Sequence, residues 1–206
     1  MNNERNAGLH LEPIEKHFDT RNFKIAGLSL DTLTLEAVAS KFGKAPVVER
    51  GDASTGRSQI CYTSGKASDK IHLVFEFGEG QSSAFYLFRG STDWDGSNRC
   101  VKSSKLTANI STDTGLRLGL SRAQVETILG KPDVAEGDRI AYSREFYRKA
   151  TKEEFERSRR EYGGVLSDEV AHEKFDLVQI TLEVEARFKD FKINYLYVST
   201  DSPNDN

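Results

Sequence analysis

A helix signal complete at both ends, and present twice, constrains this chain more than any other feature. In the downstream copy Ser121 suits an N-cap, Gln124 three residues on can close a capping box, and Leu120 can staple against Val125. Val125, Ile128 and Leu129 fall on one apolar stripe, and Gly130 with Pro132 stops the helix. The upstream copy has the same grammar. Thr34 is the cap, Leu33 and Val38 the staple, and Phe42-Gly43-Lys44 matches Leu129-Gly130-Lys131. Even the lead-ins correspond, Gly27-Leu28-x-Leu30 with Gly115-Leu116-x-Leu118.

Two capped helices could arise independently, so the segments downstream of each one matter. After the first come the apolar runs Ile60-Cys61-Tyr62, Ile71 to Phe77 and Phe85 to Phe88. After the second come Ile140-Ala141-Tyr142, Val178 to Val184 and Asn194 to Tyr197. Alternation in Ile71, Leu73, Phe75 and Phe77 marks a strand with one buried face. The expectation is an α+β chain of two tandem repeats, each a short helix or helical hairpin packed on a three- to four-stranded antiparallel meander. The boundaries read as a flexible N-terminus (1–20), repeat 1 (21–90), a connector (91–110), repeat 2 (111–200) and a polar tail (201–206). An insertion, 148–176, interrupts the second repeat where the first has only Ser64 to Asp69. It carries a capping box, Thr151 with Glu154, and a second short helix is expected from Asp168 to Lys174.

Composition excludes some function classes. Lysine and arginine total 29 against 32 acids, so no basic surplus points to nucleic acid or an anionic membrane. Met1 to His10 is polar and no run of 18 apolar residues occurs, so neither a membrane span nor a signal peptide is expected in the chain as it stands. A lipid anchor would require a leader removed before Met1.

Catalytic and metal chemistry find little support. Cys61 and His72 lie on strands expected to pair, which is the raw material of a cysteine nucleophile, but no third orienting group is identifiable. Four histidines and two cysteines show neither CxxC nor HExxH spacing, so no metal site, no cofactor and no catalytic residues are assigned. Glu183 and Glu185 share a strand face and read as solubilising charge. Cys61 and Cys100 leave two readings open, a disulfide or two reduced thiols.

The string from Gly115 to Asp133, taken with its tandem copy, resembles the helix signature of the small outer-membrane lipoprotein A (SmpA/OmlA) group and of the β-lactamase inhibitor protein, more closely the latter. The resemblance spans Ala26 to Val198 and implies exported, non-catalytic proteins that bind other proteins, here in the periplasm or anchored at the outer membrane. In that inhibitor the open sheet faces of both repeats form one concave clasp. The residues permit the same surface. With Leu73, Phe75, Leu87 and Leu196 turned to the helices, Tyr86, Phe88, Tyr195 and Tyr197 fall on the opposite face with His72, and Trp94 lies in the connector. These six are the candidate protein-binding residues, each aromatic of the face expected to be substantially exposed. The competing expectation is that the rings pack on one another or on the connector around Trp94. Other functional readings are a cytosolic immunity or anti-effector protein, and a small-ligand binder or enzyme with a cleft between the repeats.

Overall fold

Both helix signals fold with the caps their sequences specify. A computed structural model describes residues 20–51, 56–65, 70–78, 82–90, 99–161 and 177–201 of the chain. Its first short strands are β1 (Lys24–Ile25) and β2 (Leu28–Ser29), and helix α1 comes next at Leu35–Phe42. Thr34 Oγ1 accepts from the Ala37 amide at 3.1 Å to cap it. Four strands succeed the helix: β3 (Val47–Arg50), β4 (Arg57–Thr63), β5 (Ile71–Phe77) and β6 (Ser83–Arg89). The connector adds β7 (Val101–Lys102). Helix α2 (Arg122–Leu129) opens with a complete capping box between Ser121 and Gln124. After it come β8 (Val134–Glu136), β9 (Arg139–Lys149), helix α3 (Lys152–Glu161), β10 (Leu177–Lys189) and β11 (Lys192–Asp201).

Among the described residues the architecture is α+β, three α-helices with one large sheet that is antiparallel apart from β7. The strands order as β3-β4-β5-β6-β11-β10-β9-β8. The separate meanders expected from sequence are thus joined edge to edge by β6 and β11, which leaves no free edge at the middle of the molecule. The seam runs from Phe88 opposite Tyr195 through Leu87 opposite Leu196 and Tyr86 opposite Tyr197 to Ser83 opposite Thr200.

One face of this sheet supplies the core. Ile60, Tyr62, Leu73, Phe75, Phe85, Leu87, Tyr142, Leu182, Val184, Leu196 and Val198 form a single apolar cluster with Val38 and Phe42 of α1 and Val125 and Leu129 of α2. Each helix end is tied to the sheet by a tyrosine at the corresponding place. Tyr62 Oη donates to the Gly43 carbonyl at 2.7 Å, and Tyr142 Oη donates to the Gly130 carbonyl at 3.2 Å. Gly43 and Gly130 cap their helices with φ of 101° and 80°, a backbone state other residues adopt only under strain.

The connector is more than a loop. Leu106 and Ile110 join the core, Thr112 bridges to Ile25, and β7 runs parallel to the end of β4. Ser103 Oγ donates to the Phe42 carbonyl at 2.8 Å, and Cys100 is joined to Cys61 of β4 by a disulfide. In the second half β9 and β10 run further than the alternation suggests, pairing in register from Arg139–Arg187 to Lys149–Leu177, so the insertion rides on the far end of a long hairpin. Thr151 and Glu154 form the expected reciprocal cap of α3, at 2.7 and 3.2 Å. The expectations for the N-terminus before Thr20, for Trp94, for a helix at Asp168 to Lys174 and for the tail after Asp201 lie outside the described residues.

Candidate protein-binding face

Because side chains alternate along a strand, the residues interleaved with the core set share the opposite face. From β4 to β9 this face carries Arg57, Gln59 and Cys61; His72, Val74 and Glu76; Tyr86 and Phe88; Tyr195 and Tyr197; Glu183, Glu185 and Arg187; Ala141 and Ser143. Along β4 and β5 it is covered beyond Arg57, with Gln59, Cys61, His72, Val74 and Glu76 all buried, so the accessible part begins at Tyr86 and Phe88 and runs over β11 to β9. The four aromatics of the expected set meet at the seam. Tyr86 and Tyr197 have ring centroids 4.9 Å apart, Tyr86 and Tyr195 6.4 Å. Their exposure is smaller than expected, since Tyr86, Phe88, Tyr195 and Tyr197 are each half-buried. Close cross-strand packing of the rings on one another accounts for part of that.

His72 departs further from the expectation. It lies on this face but is buried, 5% exposed, its ring stacked on Phe88 at 5.0 Å. Burial, with a smaller contribution from Lys70, holds its imidazole below the ordinary value, so at neutral pH it is an uncharged support for Phe88. It does not face Cys61: Thr63 is its cross-strand neighbour, Cys61 pairs with Val74, and the Cys61 sulfur is committed to the disulfide. That pair carries no thiolate chemistry.

Two fixed groups hold much of the charge on the face, and the sequence pattern singled out the pairing in neither. At one end the buried Glu76 accepts from Arg57 at 3.1 Å, Gln59 at 2.5 Å and the Tyr86 hydroxyl at 3.1 Å, while Gln59 in turn accepts from Arg50 at 3.0 Å. Near the other, Glu185 accepts from Arg139 at 2.8 Å and Arg187 at 2.6 Å, and the Arg187 guanidinium lies 4.9 Å from the centre of the Tyr195 ring. Burial pushes the Glu185 carboxyl up, but the two arginines more than offset it and hold the group below its ordinary value. Glu185 is therefore a structural ion-pair residue and no mere solubilising charge. Alternation alone put these carboxylates on the face; the cross-strand arginines, Arg57 on Glu76 and Arg139 on Glu185, became visible only with the register.

Open clefts of about 260 Å³ and about 140 Å³ flank Tyr197, the first lined by Arg57, Glu76 and Glu183, the second by Asp133, Arg139 and Ser143. Among the described residues no group of three His, Cys, Asp or Glu is arranged to hold a metal ion, and no helix is long and apolar enough to cross a membrane. Compared with known protein families, curated proteins and solved structures, the chain matches none.

The tyrosines make the packing testable by titration. Burial pushes Tyr62, Tyr142 and Tyr195 from 10 up to about 12, and raises Tyr197 and, with the help of Glu76, Tyr86. A phenol raised in the folded state contributes stability that is present below pH 10 and lost as pH rises through about 12. Phenolate absorbance should therefore stay low above pH 10 and rise together with loss of the fold; early, non-cooperative ionisation of most tyrosines would contradict the packing.

Proposed function

We propose that this protein is a non-catalytic, two-repeat binder of another protein and that it binds through the open face of its sheet. The repeat reading is supported by correspondences between the two halves of the sheet. Strands step outward from the seam in the same sequence on both sides, a capped helix precedes the four antiparallel strands of each half, and Tyr62 to Gly43 matches Tyr142 to Gly130. Exchanging the halves of the aligned strings Tyr86-Leu87-Phe88 and Tyr195-Leu196-Tyr197 turns each seam pair into the other.

The observation that carries the binding reading is the composition of that face. Partly exposed tyrosines with polar handles, beside Phe88 and held between ion pairs, are among the residue types enriched at protein interfaces. The flanking clefts fall below the ~300–1,000 Å³ usual for small-molecule sites and suit single side chains of a partner. The family resemblance points the same way, toward a bacterial cell-envelope protein, and a disulfide suits an oxidising compartment such as the periplasm.

The Tyr195→Ala/Tyr197→Ala double variant should lower recovery of the binding partner in pull-downs at least tenfold, while stability changes by less than about 1.5 kcal/mol as for partly exposed positions. Unchanged recovery by a folded double variant would move the site off this face.

A further inference from the structure

We infer that the tip of the β10–β11 hairpin is the anchor of the complex: Phe191 seats in an apolar pocket of the bound protein, and Lys189 and Lys192 meet carboxylates on the rim of that pocket. The inference rests on the protein-binding reading above and adds to it a position, a pocket and a charge.

Lys189 and Lys192 are cross-strand neighbours, so Asp190 and Phe191 alone make the turn. Both have positive φ, 51° and 62°. Such a two-residue turn suits the twist of a hairpin, and its second position is ordinarily glycine, because a bulky side chain there is strained. Here that position holds a phenylalanine with 90% of its surface in water. Among the described residues the next most exposed large apolar side chains, Tyr147 and Val47, reach only 43% and 38%. Among the described residues nothing compensates either the strain or the exposure of the ring, and the two together at one position point to a contact on another molecule. A stiff two-residue turn also presents the ring with little conformational freedom left to lose on binding.

The two lysines set the chemistry of the pocket. Both are exposed, and among the described residues neither forms an ion pair, whereas Arg187 two positions earlier is already engaged by Glu185. Moving from the tip into the sheet, the next residues on the open face are Arg187, Tyr195 and Phe88, so the tip adjoins the strand ends that carry the proposed binding face. A membrane surface fits less well. One ring and two lysines beside Asp190, on a chain of net charge −3, make a weak lipid anchor, whereas a single buried aromatic is a common centre of a protein interface.

Photoreactive phenylalanine placed at position 191, and separately at 197, in the full chain tests this by crosslinking in extracts of the native source. The expected result is one and the same protein captured from both positions. With that protein purified, Phe191→Asn should weaken its binding at least tenfold without lowering the unfolding midpoint, since asparagine tolerates positive φ, and Lys189→Glu/Lys192→Glu should weaken it with a reduced salt dependence. Capture from 197 alone, with Phe191→Asn binding as tightly as wild type, would overturn the anchor and leave the open-face reading standing. Capture from 191 alone, with tenfold weakening by Phe191→Asn, would uphold the anchor and overturn the open face. Lipid adducts at 191, with sedimentation on phosphatidylglycerol–phosphatidylethanolamine vesicles lost in Phe191→Asn, would overturn the protein pocket in favour of a membrane.

Discussion

Reduction of the Cys61–Cys100 bridge is expected to lower stability by about 4 kcal/mol, the entropic effect of a cross-link closing a loop of this length. The bridge spans 39 residues and encloses β5 and β6, the two strands that carry the first half of the open face. Cys61 is 1% exposed in mid-strand, so Cys61→Ser would add a buried hydroxyl as a second defect. Cys100→Ser is the cleaner variant. Denaturant unfolding of wild type with and without reductant, and of Cys100→Ser, should show the same loss. A change below about 1 kcal/mol would mean that β7 and Ser103 hold the connector without the bridge.

At the seam, Leu87→Ala and Leu196→Ala should each cost about 3 to 5 kcal/mol, the scale of a buried leucine truncated in a packed core. The two are cross-strand partners with 1% and 0% exposure, so each fills space against the other. The double variant should lose less than the sum, because the second truncation enlarges a cavity already made. Unfolding should remain a single transition for all three variants, since β6 and β11 belong to one sheet. Two separated transitions, or a loss confined to one half, would mean that the halves fold as independent domains.

Those elements whose rules are local were legible in the sequence. The cap at Thr34, the box at Ser121 and Gln124, and the stops at Gly43 and Gly130 each depend on residues within four positions, and α1 and α2 fall where those signals place them. Period-two alternation placed the core-facing residues of β5 and β6, but the expectation of one buried face fails for β5, where His72, Val74 and Glu76 on the other face are buried as well. The features that escaped depend on contacts distant in sequence. The joining of β6 to β11 is a pairing that no local rule specifies, and the stacking of the buried His72 on Phe88 is a contact across a strand pair. The charged groups around Glu76 and Glu185 required the register of neighbouring strands. The turn at Asp190-Phe191 was silent for another reason: it lacks the glycine by which such turns are recognised, and that missing glycine is what makes the position informative.

The most direct measurement is hydroxyl-radical footprinting of the free protein and of the complex formed with its captured protein partner. Binding through the open face predicts protection at Tyr86, Phe88, Tyr195, Tyr197 and Phe191, with the outer surfaces of α1 and α2 labelled equally in both states. Protection confined to α1, α2 or the α3 insertion, with the seam aromatics unchanged, would contradict it.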